Sequence, residues 1–597
     1  MKLAISALRA LYASGKAKPS EVIAEVYDRI GREPAQPVWI SLVARETALT
    51  RAKELEGDPV VAKLPLYGIP FAIKDNIDLA GVPTTAGCPA YAYSPERNAP
   101  VVERLLSAGA IPIGKTNLDQ FATGLVGARS PHGACSSVFD ARYISGGSSS
   151  GSAVAVAKEL VSFSLGTDTA GSGRIPAAFN NLVGLKPSRG LLSAAGVVPA
   201  CRSLDCVSIF ATNCGDAQTV WQAAKGFDPS DPYSRVPGPG DGAAPWATGS
   251  FRFGVPGPDQ LEFFGDEESK TLFHAAVGRL EQLGGTKVEI DFSIFRAVAD
   301  LLYSGPWVAE RLAAILPFFE AHADEMNQVV RGIIEGARRY SAVDAFQAEY
   351  RLRTLRRASE QEWQRMDVLV VPSAPTIYTH EQLAADPVRL NTNLGYYTNF
   401  VNLLDQAAVA TPGGFRSDGL PFGITLIGPA FTDEALLALA DRFHRAHSDV
   451  SGPAVDLGAC PPGCIAVAVV GAHLSGQPLN WQLTQRRARL LKTTKTLPCY
   501  RFYALPGTQP PKPGLVREEG YQGPGIEVEV WAVPENEFGS FVAGVPAPLG
   551  IGSATLEGGD TVKCFICEPY AIGGSLEITH FGGWRAFLAS QSLHASV

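Results

Sequence analysis

Two glycine-rich segments of the chain each hold a serine that could take part in catalysis. Gly146–Ser152 contains Ser148, and Gly166–Arg174 contains Ser172. Glycine lets the backbone approach a ligand closely and adopt positive φ angles. Two serines held in such turns indicate a nucleophile and a proton relay, with backbone N–H groups directed at an oxyanion.

A lysine upstream of these turns is a candidate for the base that a serine nucleophile requires. Lys74 ends the apolar run that begins at Ile69, and that run predicts a buried strand. Neither glycine-rich segment contains a histidine. A free lysine has a pKa of about 10.4, so partial neutrality near pH 7 to 8 requires a fall of roughly 2 to 3 units. Burial in an apolar site can lower the pKa by that amount.

These three segments together resemble the amidase signature family. In that family the residues matching Lys74, Ser148 and Ser172 are the base, a bridging serine and the nucleophile that attacks the amide. The resemblance covers roughly residues 20–450 and implies an α/β fold, a mixed β-sheet covered by helices. Three further motifs carry it: Gly114–Asn117, Ile175–Ala177 and Gly184–Pro187.

The second glycine-rich turn also predicts where a substrate oxyanion would bind. Backbone N–H groups of the turn are the expected donors, and Asp168 and Arg174 are expected to brace it. The predicted donors are Thr169, Ala170, Gly171 and Ser172.

Two other motifs in this region point to different chemistry and are disfavoured. Gly109–Thr116 satisfies the phosphate-loop pattern, but Ile111–Ile113 is predicted as a strand where a phosphate cradle needs a loop. Gly147–Gly151 matches the nucleophile elbow with Ser149 as nucleophile, yet no later acid and histidine have the context of an α/β-hydrolase. We therefore expect Ser149 to be structural.

The segment Leu301–Arg311 bears on the substrate. It resembles the segment by which allophanate hydrolases, members of the amidase signature family, hold their small, planar, anionic amide. A guanidinium binds a carboxylate through two parallel hydrogen bonds, which suits Arg311, and the phenol of Tyr303 can add a donor. The two residues are two helical turns apart and are predicted to share a face. Family analogy adds the backbone of Gly124 as a contact for the leaving amide. The alternative is that Arg311 is a solvated charge and Tyr303 a core residue.

Composition limits the partners of the chain. It has 597 residues, 46% of them hydrophobic and 18% charged, with a formal net charge of −8. This balance argues against general nucleic-acid binding, and no apolar run is long enough for a membrane span. We expect a cytoplasmic enzyme with a small anionic amide substrate, no cofactor and no metal, and a homodimer by family habit. The spacing of Cys460 with Cys464 and of Cys564 with Cys567 leaves a zinc site open, but reduced thiols are favoured.

Two domains are predicted. Residues 1–450 form the amidase domain, 451–464 a linker rich in small residues, and 465–597 a β-rich domain. The segment Val469–Asn480 resembles the start of a γ-glutamylcyclotransferase-like fold, which allophanate hydrolases carry.

That resemblance implies a division of labour. The first domain would release ammonia from allophanate, and the second would assist decarboxylation of the N-carboxycarbamate product. His473 is the candidate residue for the second step, with a structural histidine as the alternative. Glu529 lies in an alternating strand and is expected to face solvent, with a site acid as the alternative.

Two other functions stay open at this point. The chain could be the amidase component of a glutamyl-tRNA transamidation complex, which shares the serine–lysine core but does not explain the C-terminal domain. The C-terminal domain could also be a non-catalytic module for binding or dimer formation on an amidase of other specificity.

Overall fold

The residues form two compact units in a computed structural model of the chain. The first comprises Met1–Val236 and Ser250–Val455, and the second comprises Pro237–Gly249 and Asp456–Val597. The structure describes all residues except 34–35, 59, 239–240, 243, 248, 456–459, 461–463, 487, 595–597 and the side chains of 592–594. Half of the predicted linker over 451–464, namely residues 456–459 and 461–463, therefore lies outside the described residues.

The first unit is built on one large mixed sheet. Its strands are β1 Trp39–Leu42, β2 Pro70–Lys74, β3 Ile111–Thr116, β4 Phe163–Asp168, β5 Val183–Lys186, β6 Cys206–Ala211, β7 Phe251–Pro256, β8 Gly285–Ile290, β9 Val368–Pro372, β10 Gln406–Phe415 and β11 Pro421–Pro429. The strand order is β1-β3-β2-β4-β6-β5-β10-β11-β9-β7-β8. Parallel pairs join β3, β2 and β4 and also β9, β7 and β8, while the central pairs are antiparallel.

Helices accompany this sheet along the chain. They are α1 Ile5–Ala13, α2 Pro19–Arg32, α3 Arg45–Glu56, α4 Pro100–Ser107, α5 Ser150–Ala157, α6 Ile175–Phe179, α7 Cys214–Ala224, α8 Glu267–Gln282, α9 Ser293–Ser304, α10 Trp307–His322, α11 Gln328–Glu335, α12 Ala342–Trp363, α13 His380–Ala385, α14 Arg389–Leu394 and α15 Asp433–Arg445. The predicted α/β fold, a mixed sheet covered by helices, is confirmed.

Helix α5 shows how local sequence positions the candidate site. It is made of small residues, and all but the last are buried. A Cβ on Gly151 would lie 2.4 Å from the carbonyl oxygen of Val38 and 2.6 Å from the amide of Asn117. Only glycine permits that approach, so the helix packs tightly against the sheet and its N-terminal turn is held in place.

The second unit is rich in β-structure, as predicted. Its strands are β12 Cys464–Val469, β13 Arg489–Lys495, β14 Tyr500–Ala504, β15 Pro513–Arg517, β16 Glu527–Pro534, β17 Leu549–Thr555, β18 Thr561–Cys567 and β19 Leu576–Glu577, and its helices are α16 Trp481–Thr484, α17 Glu535–Ala543 and α18 Trp584–His594. One sheet has the order β13-β16-β12-β18-β17 and the other β15-β14-β19. No helix in the described part of the chain has the length and apolarity to span a bilayer.

Candidate active site

The candidate catalytic residues gather where β2 and β4 end. These strands are parallel neighbours, so their carboxyl ends meet at the same edge of the sheet. Lys74 is the last residue of β2, and Asp168 is the last residue of β4. Ser172 follows β4 in the glycine-rich turn, and Ser148 precedes α5. Topology thus brings three distant segments together.

Lys74 is fully buried and contacts one of the two predicted serines. Its Nζ lies 2.7 Å from Oγ of Ser148 and 2.7 Å from Oγ1 of Thr167. Burial lowers the pKa of Lys74 to about 7, although Asp119 and the other acidic neighbours act in the opposite direction. A lysine with this pKa is partly neutral near pH 7, so its amine can accept a proton from Ser148.

Ser149, next to the bridging position, has a different environment. Its hydroxyl donates to the carbonyl of Thr167 at 3.1 Å and accepts from the N–H of the same residue at 3.3 Å. Both contacts tie the start of α5 to β4. The hydroxyl is therefore occupied by backbone, as expected for a structural serine, which leaves the elbow motif without a free nucleophile.

Ser172 is buried in the glycine-rich turn, and hydrogen bonds to the carboxylate of Asp168 hold this turn in place. Both oxygens of Asp168 accept from the guanidinium of Arg174 at 2.9 Å, and they also accept from the N–H groups of Gly171 and Gly173. Burial opposes the charged carboxylate, but Arg174 outweighs it and the pKa of Asp168 is lowered. Among the described residues, no hydrogen bond involves the Ser172 hydroxyl, so contact with Ser148 stays a prediction.

The N–H groups of the turn divide into two kinds. That of Gly171 donates to Asp168 at 2.9 Å, so it differs from the prediction and is not free for a substrate oxygen. Within the described chain, those of Thr169, Ala170 and Ser172 have no acceptor. Buried N–H groups without partners are rare, and three in one turn form a candidate oxyanion hole.

Two residues that sequence reasoning missed complete this region. Thr167 holds Lys74, and alternation along β4 is the only signal that could have singled it out. Asp205 accepts from the Thr169 hydroxyl and from the N–H groups of Ala200 at 2.9 Å and Cys201 at 3.2 Å. Burial raises the pKa of Asp205 to about 6, against these hydrogen bonds. It lies far from the motif in sequence, so only the fold reveals its role.

Tyr303 and Arg311 meet, but not as predicted. Tyr303 lies near the end of α9 and Arg311 lies in α10, because Gly305 and Pro306 separate the two helices. The prediction that the two residues share one helical face is therefore wrong. The bend nevertheless brings the Arg311 guanidinium within 3.2 Å of the Tyr303 hydroxyl.

Arg311 is a buried cation that lacks an anionic partner in the described structure. Its side chain is 1% exposed, which excludes the solvated alternative. It donates to Oγ1 of Thr123 at 3.0 Å and to the carbonyl of Ala122 at 3.4 Å, and its Nε has no partner. Its neighbour Glu310 binds Ser203 instead. A buried charge without a counterion is costly, and an anionic ligand would relieve the cost.

Gly124 lies one residue beyond this arginine contact. It is buried, and within the described chain neither its N–H nor its carbonyl takes part in a hydrogen bond. A Cβ at this position would lie 2.5 Å from the carboxylate of Asp119, so the close approach requires glycine. Gly124 thus offers two free backbone groups near Arg311.

The phosphate-loop motif is not a loop. Its last six residues form β3. The ammonium of Lys115 is buried, donates to Oγ1 of Thr84 at 2.9 Å and lies 3.4 Å from the carboxylate of Asp75. The lysine is thus engaged inside the fold. The cysteines of the described chain are free, and no cluster of three or more metal-ligating side chains is present there.

His473 follows β12 in the second unit. Its Nε2 lies 2.9 Å from Oε1 of Gln482, and its ring stacks on Phe565 at a centroid distance of 4.9 Å. Burial, with added repulsion from Lys512, lowers the pKa of His473 below its ordinary value. The protonated form of the imidazole is therefore disfavoured.

Glu529 does not face solvent, contrary to expectation. It is 3% exposed and accepts from the N–H and hydroxyl of Ser475 and from the indole of Trp531. Arg585 donates to its other oxygen at 2.6 Å. Alternation assigned the residue to the wrong face, because this face of β16 is covered by α18 and the loop after β12. Glu529 therefore anchors the loop that carries His473.

Comparison with known proteins identifies the class. Residues 21–437 match the family described as Amidase, and residues 465–589 match the allophanate hydrolase C-terminal domain. The chain belongs to the amidase family. The likeness of the second unit to a γ-glutamylcyclotransferase fold stays a prediction.

Particular relatives resemble the chain over most of its length. Urea amidolyase of Saccharomyces cerevisiae is 47% identical over 580 residues, which cover 93% of this chain and 31% of that protein. The chain thus spans about a third of the length of the curated urea amidolyases it matches. The allophanate hydrolase of Kluyveromyces lactis has a solved structure with 43% identity and a TM-score of 0.82, covering 97% of this chain and 98% of that one. A glutamyl-tRNA(Gln) amidotransferase component from Symbiobacterium thermophilum is 34% identical over 481 residues, covering 74% of this chain and 96% of that protein.

Proposed function

We propose that the chain is an allophanate hydrolase that releases ammonia by a Ser-Ser-Lys mechanism. The observation that carries the proposal is the buried guanidinium of Arg311, which has no anionic partner in the described structure. Allophanate brings a carboxylate for that cation and an amide for the serine turn. The likeness to a solved allophanate hydrolase over nearly the whole chain supports it.

In this mechanism the proton moves from Ser172 through Ser148 to Lys74. Oγ of Ser172 bonds to the terminal amide carbon of allophanate, and the oxyanion accepts from the free N–H groups of Thr169, Ala170 and Ser172. The C–N bond then breaks, and the departing nitrogen takes the proton and leaves as ammonia. Water hydrolyses the acyl-enzyme with Lys74 again as base, and N-carboxycarbamate is released.

Substrate orientation follows from the two ends of allophanate. Arg311 and Tyr303 bind the carboxylate, while the free backbone groups of Gly124 bind the leaving amide. Because the guanidinium is already held by Thr123 and Tyr303, little side-chain freedom is lost on binding.

The second unit has its own part in the proposal. His473 would give a proton to the nitrogen of N-carboxycarbamate while the C–N bond to one carboxylate breaks. Carbon dioxide leaves, the electron pair stays on nitrogen, and carbamate remains. The match of residues 465–589 to the allophanate hydrolase C-terminal domain supports a place for this unit in an allophanate hydrolase.

The runner-up is the amidase component of a glutamyl-tRNA transamidation complex, favoured by the likeness to the amidotransferase component from Symbiobacterium thermophilum. That relative matches 74% of this chain, and the runner-up gives the second unit no role. Ammonia release from allophanate by the purified chain alone is the test. No release without a co-purifying partner would favour the runner-up.

We also propose that the chain forms a homodimer, and one exposed surface is a candidate for its interface. Val343, Phe346 and Tyr350 are each 63% exposed and recur along one face of α12. Such an apolar stripe suits burial against a second copy. Light scattering of the wild-type chain and of Phe346→Asp tests it, since the variant should shift toward monomer. A monomeric wild-type chain would refute the dimer.

A further inference from the structure

The carboxylate of Glu310 is next to Arg311 in sequence but does not pair with it. Glu310 is in the first turn of α10, and Arg311 is the following residue. The described structure contains no ion pair between them, although Arg311 is buried. Burial acts to lower the pKa of Arg311, yet nearby groups, Tyr303 first and Glu310 among them, raise it. The carboxylate is thus close enough to act on the guanidinium, and its failure to pair needs a cause.

Ser203 supplies that cause by occupying both oxygens of Glu310. Its N–H donates to Oε1 at 2.6 Å, and its hydroxyl donates to Oε2 at 2.7 Å. Hydrogen bonds to an ionised acceptor are about twice as strong as those between neutral groups. We call these two contacts the Ser203 clamp. They hold the carboxylate on a serine loop and away from the guanidinium.

The loop that carries Ser203 is fixed by its own contacts. The N–H of Cys201 donates to Asp205 at 3.2 Å. Sγ of Cys201 donates to the carbonyl of Trp307, the first residue of α10, at 3.5 Å. The loop is therefore held against the helical turn that carries Glu310, and Ser203 needs no rearrangement to reach the carboxylate.

We propose that Ser203 is a positioning residue for substrate recognition: by binding Glu310, it keeps the Arg311 guanidinium free for the carboxylate of the substrate. This role rests on the proposed function, in which Arg311 binds that carboxylate. Without the clamp, Glu310 would compete with the substrate as an internal counterion. The apparent Kd of a ligand rises as the binding-competent state is depopulated. The clamp should therefore set the affinity for anionic amides and not for uncharged ones.

Binding of malonamate, which has a methylene in place of the central nitrogen of allophanate, tests this role without turnover in the full chain carrying Ser172→Ala. In that background Ser203→Ala should raise the calorimetric Kd by about tenfold, because a hydrogen bond to a charged group is lost. Ser203→Thr keeps the hydroxyl and should restore the affinity. The Kd of biuret, which is uncharged, should not respond to Ser203→Ala.

A double-mutant cycle separates the clamp from a general structural role. Glu310→Gln removes the competing charge, so adding Ser203→Ala to it should change the Kd of malonamate by less than about twofold. A merely structural serine would instead cause the same loss with and without Glu310→Gln.

A second clamp of the same kind provides the matched control. The N–H and hydroxyl of Ser417 donate to the two carboxylate oxygens of Glu268, in the first turn of α8, at 2.8 and 2.6 Å. Ser417→Ala removes the same kind of contact at an exposed position and should leave the Kd of malonamate unchanged.

The clamp is refuted if Ser203→Ala leaves malonamate binding unchanged, weakens biuret binding equally, or has the same effect with and without Glu310→Gln. Failure of the proposed function gives a different result. Arg311→Gln would then leave malonamate binding unchanged, and the role of Ser203 would fall with it. Weaker binding in Arg311→Gln together with an ineffective Ser203→Ala would refute the clamp alone.

Discussion

The amine of Lys74 lies 2.7 Å from the hydroxyl of Ser148, and both side chains are fully buried. The same amine lies 2.7 Å from the hydroxyl of Thr167, so its position is held from two sides. Burial is also the main cause of its low pKa. One feature of the fold, the burial of the end of β2, thus positions the base and makes it partly neutral.

The pH dependence of hydrolysis follows from Lys74. Its amine accepts a proton only when neutral, so kcat/KM should rise with pH through about 7, the value to which burial lowers its pKa. Lys74→Ala should cost several orders of magnitude and abolish this limb. A pH–rate profile of ammonia release checks both. An unchanged limb in the variant would contradict the assignment.

The adjacent serines provide a matched pair. Ser148→Ala should lower kcat by several orders of magnitude, because the link between Lys74 and the nucleophile is lost. Ser149→Ala removes only contacts to the backbone of Thr167 and should cost much less activity. Steady-state ammonia release compares them, with thermal unfolding as a control for stability. A larger loss of activity in Ser149→Ala than in Ser148→Ala would instead support Ser149 as the nucleophile of an elbow motif.

Substrate charge should be sensed by Arg311. Arg311→Gln removes a charge-assisted contact and should cost about 2 to 4 kcal/mol in transition-state stabilisation for allophanate. The loss in kcat/KM should be smaller for uncharged amides. Arg353→Gln, on an exposed arginine of α12, is the control. The measurement is kcat/KM for charged and uncharged amides, and equal losses for both would rule out this role.

Asp205 should act as a positioning residue for the oxyanion turn. Asp205→Asn weakens its hold on the Thr169 hydroxyl, and a misplaced donor should lower kcat by about tenfold or more. KM for allophanate should change less than kcat, since Arg311 keeps its charge and its hydrogen bonds to Thr123 and Tyr303. Thr169→Ser, which keeps the hydroxyl, is the matched control. A rise in KM with unchanged kcat would point to a different role.

His473 should affect the second step alone. His473→Ala should leave the first ammonia release nearly unchanged and slow the appearance of carbon dioxide, or let N-carboxycarbamate accumulate. Rapid trapping is required, since uncatalysed decarboxylation is a competing process. Unchanged carbon dioxide kinetics would leave the residue a structural role.

The residues that could be predicted from the sequence are those that lie in short local motifs. Lys74 and Ser148 could be placed because an apolar run and a glycine turn act locally. Thr167 and Asp205 could not, because their roles depend on which strands and loops become neighbours. Tyr303 and Arg311 do meet, but from two successive helices and not from one helical face, because Gly305 and Pro306 separate α9 from α10.

Exposure was harder to predict than strand position. Alternation along β16 predicts that Glu529 faces solvent, yet Ser475 and Arg585, both distant in sequence, cover its side chain. The hydrogen bond from the Gly171 N–H to Asp168 likewise depends on the exact path of the turn, which composition does not determine.

Ammonia release from allophanate, biuret, urea, malonamate and glutamine, measured side by side with the wild-type chain and Ser172→Ala, tests the proposed allophanate hydrolase activity and its nucleophile together. Allophanate should give the highest kcat/KM, the uncharged amides should give lower values, and the variant should have no activity. Faster release from glutamine than from allophanate, or activity that survives Ser172→Ala, would contradict this assignment.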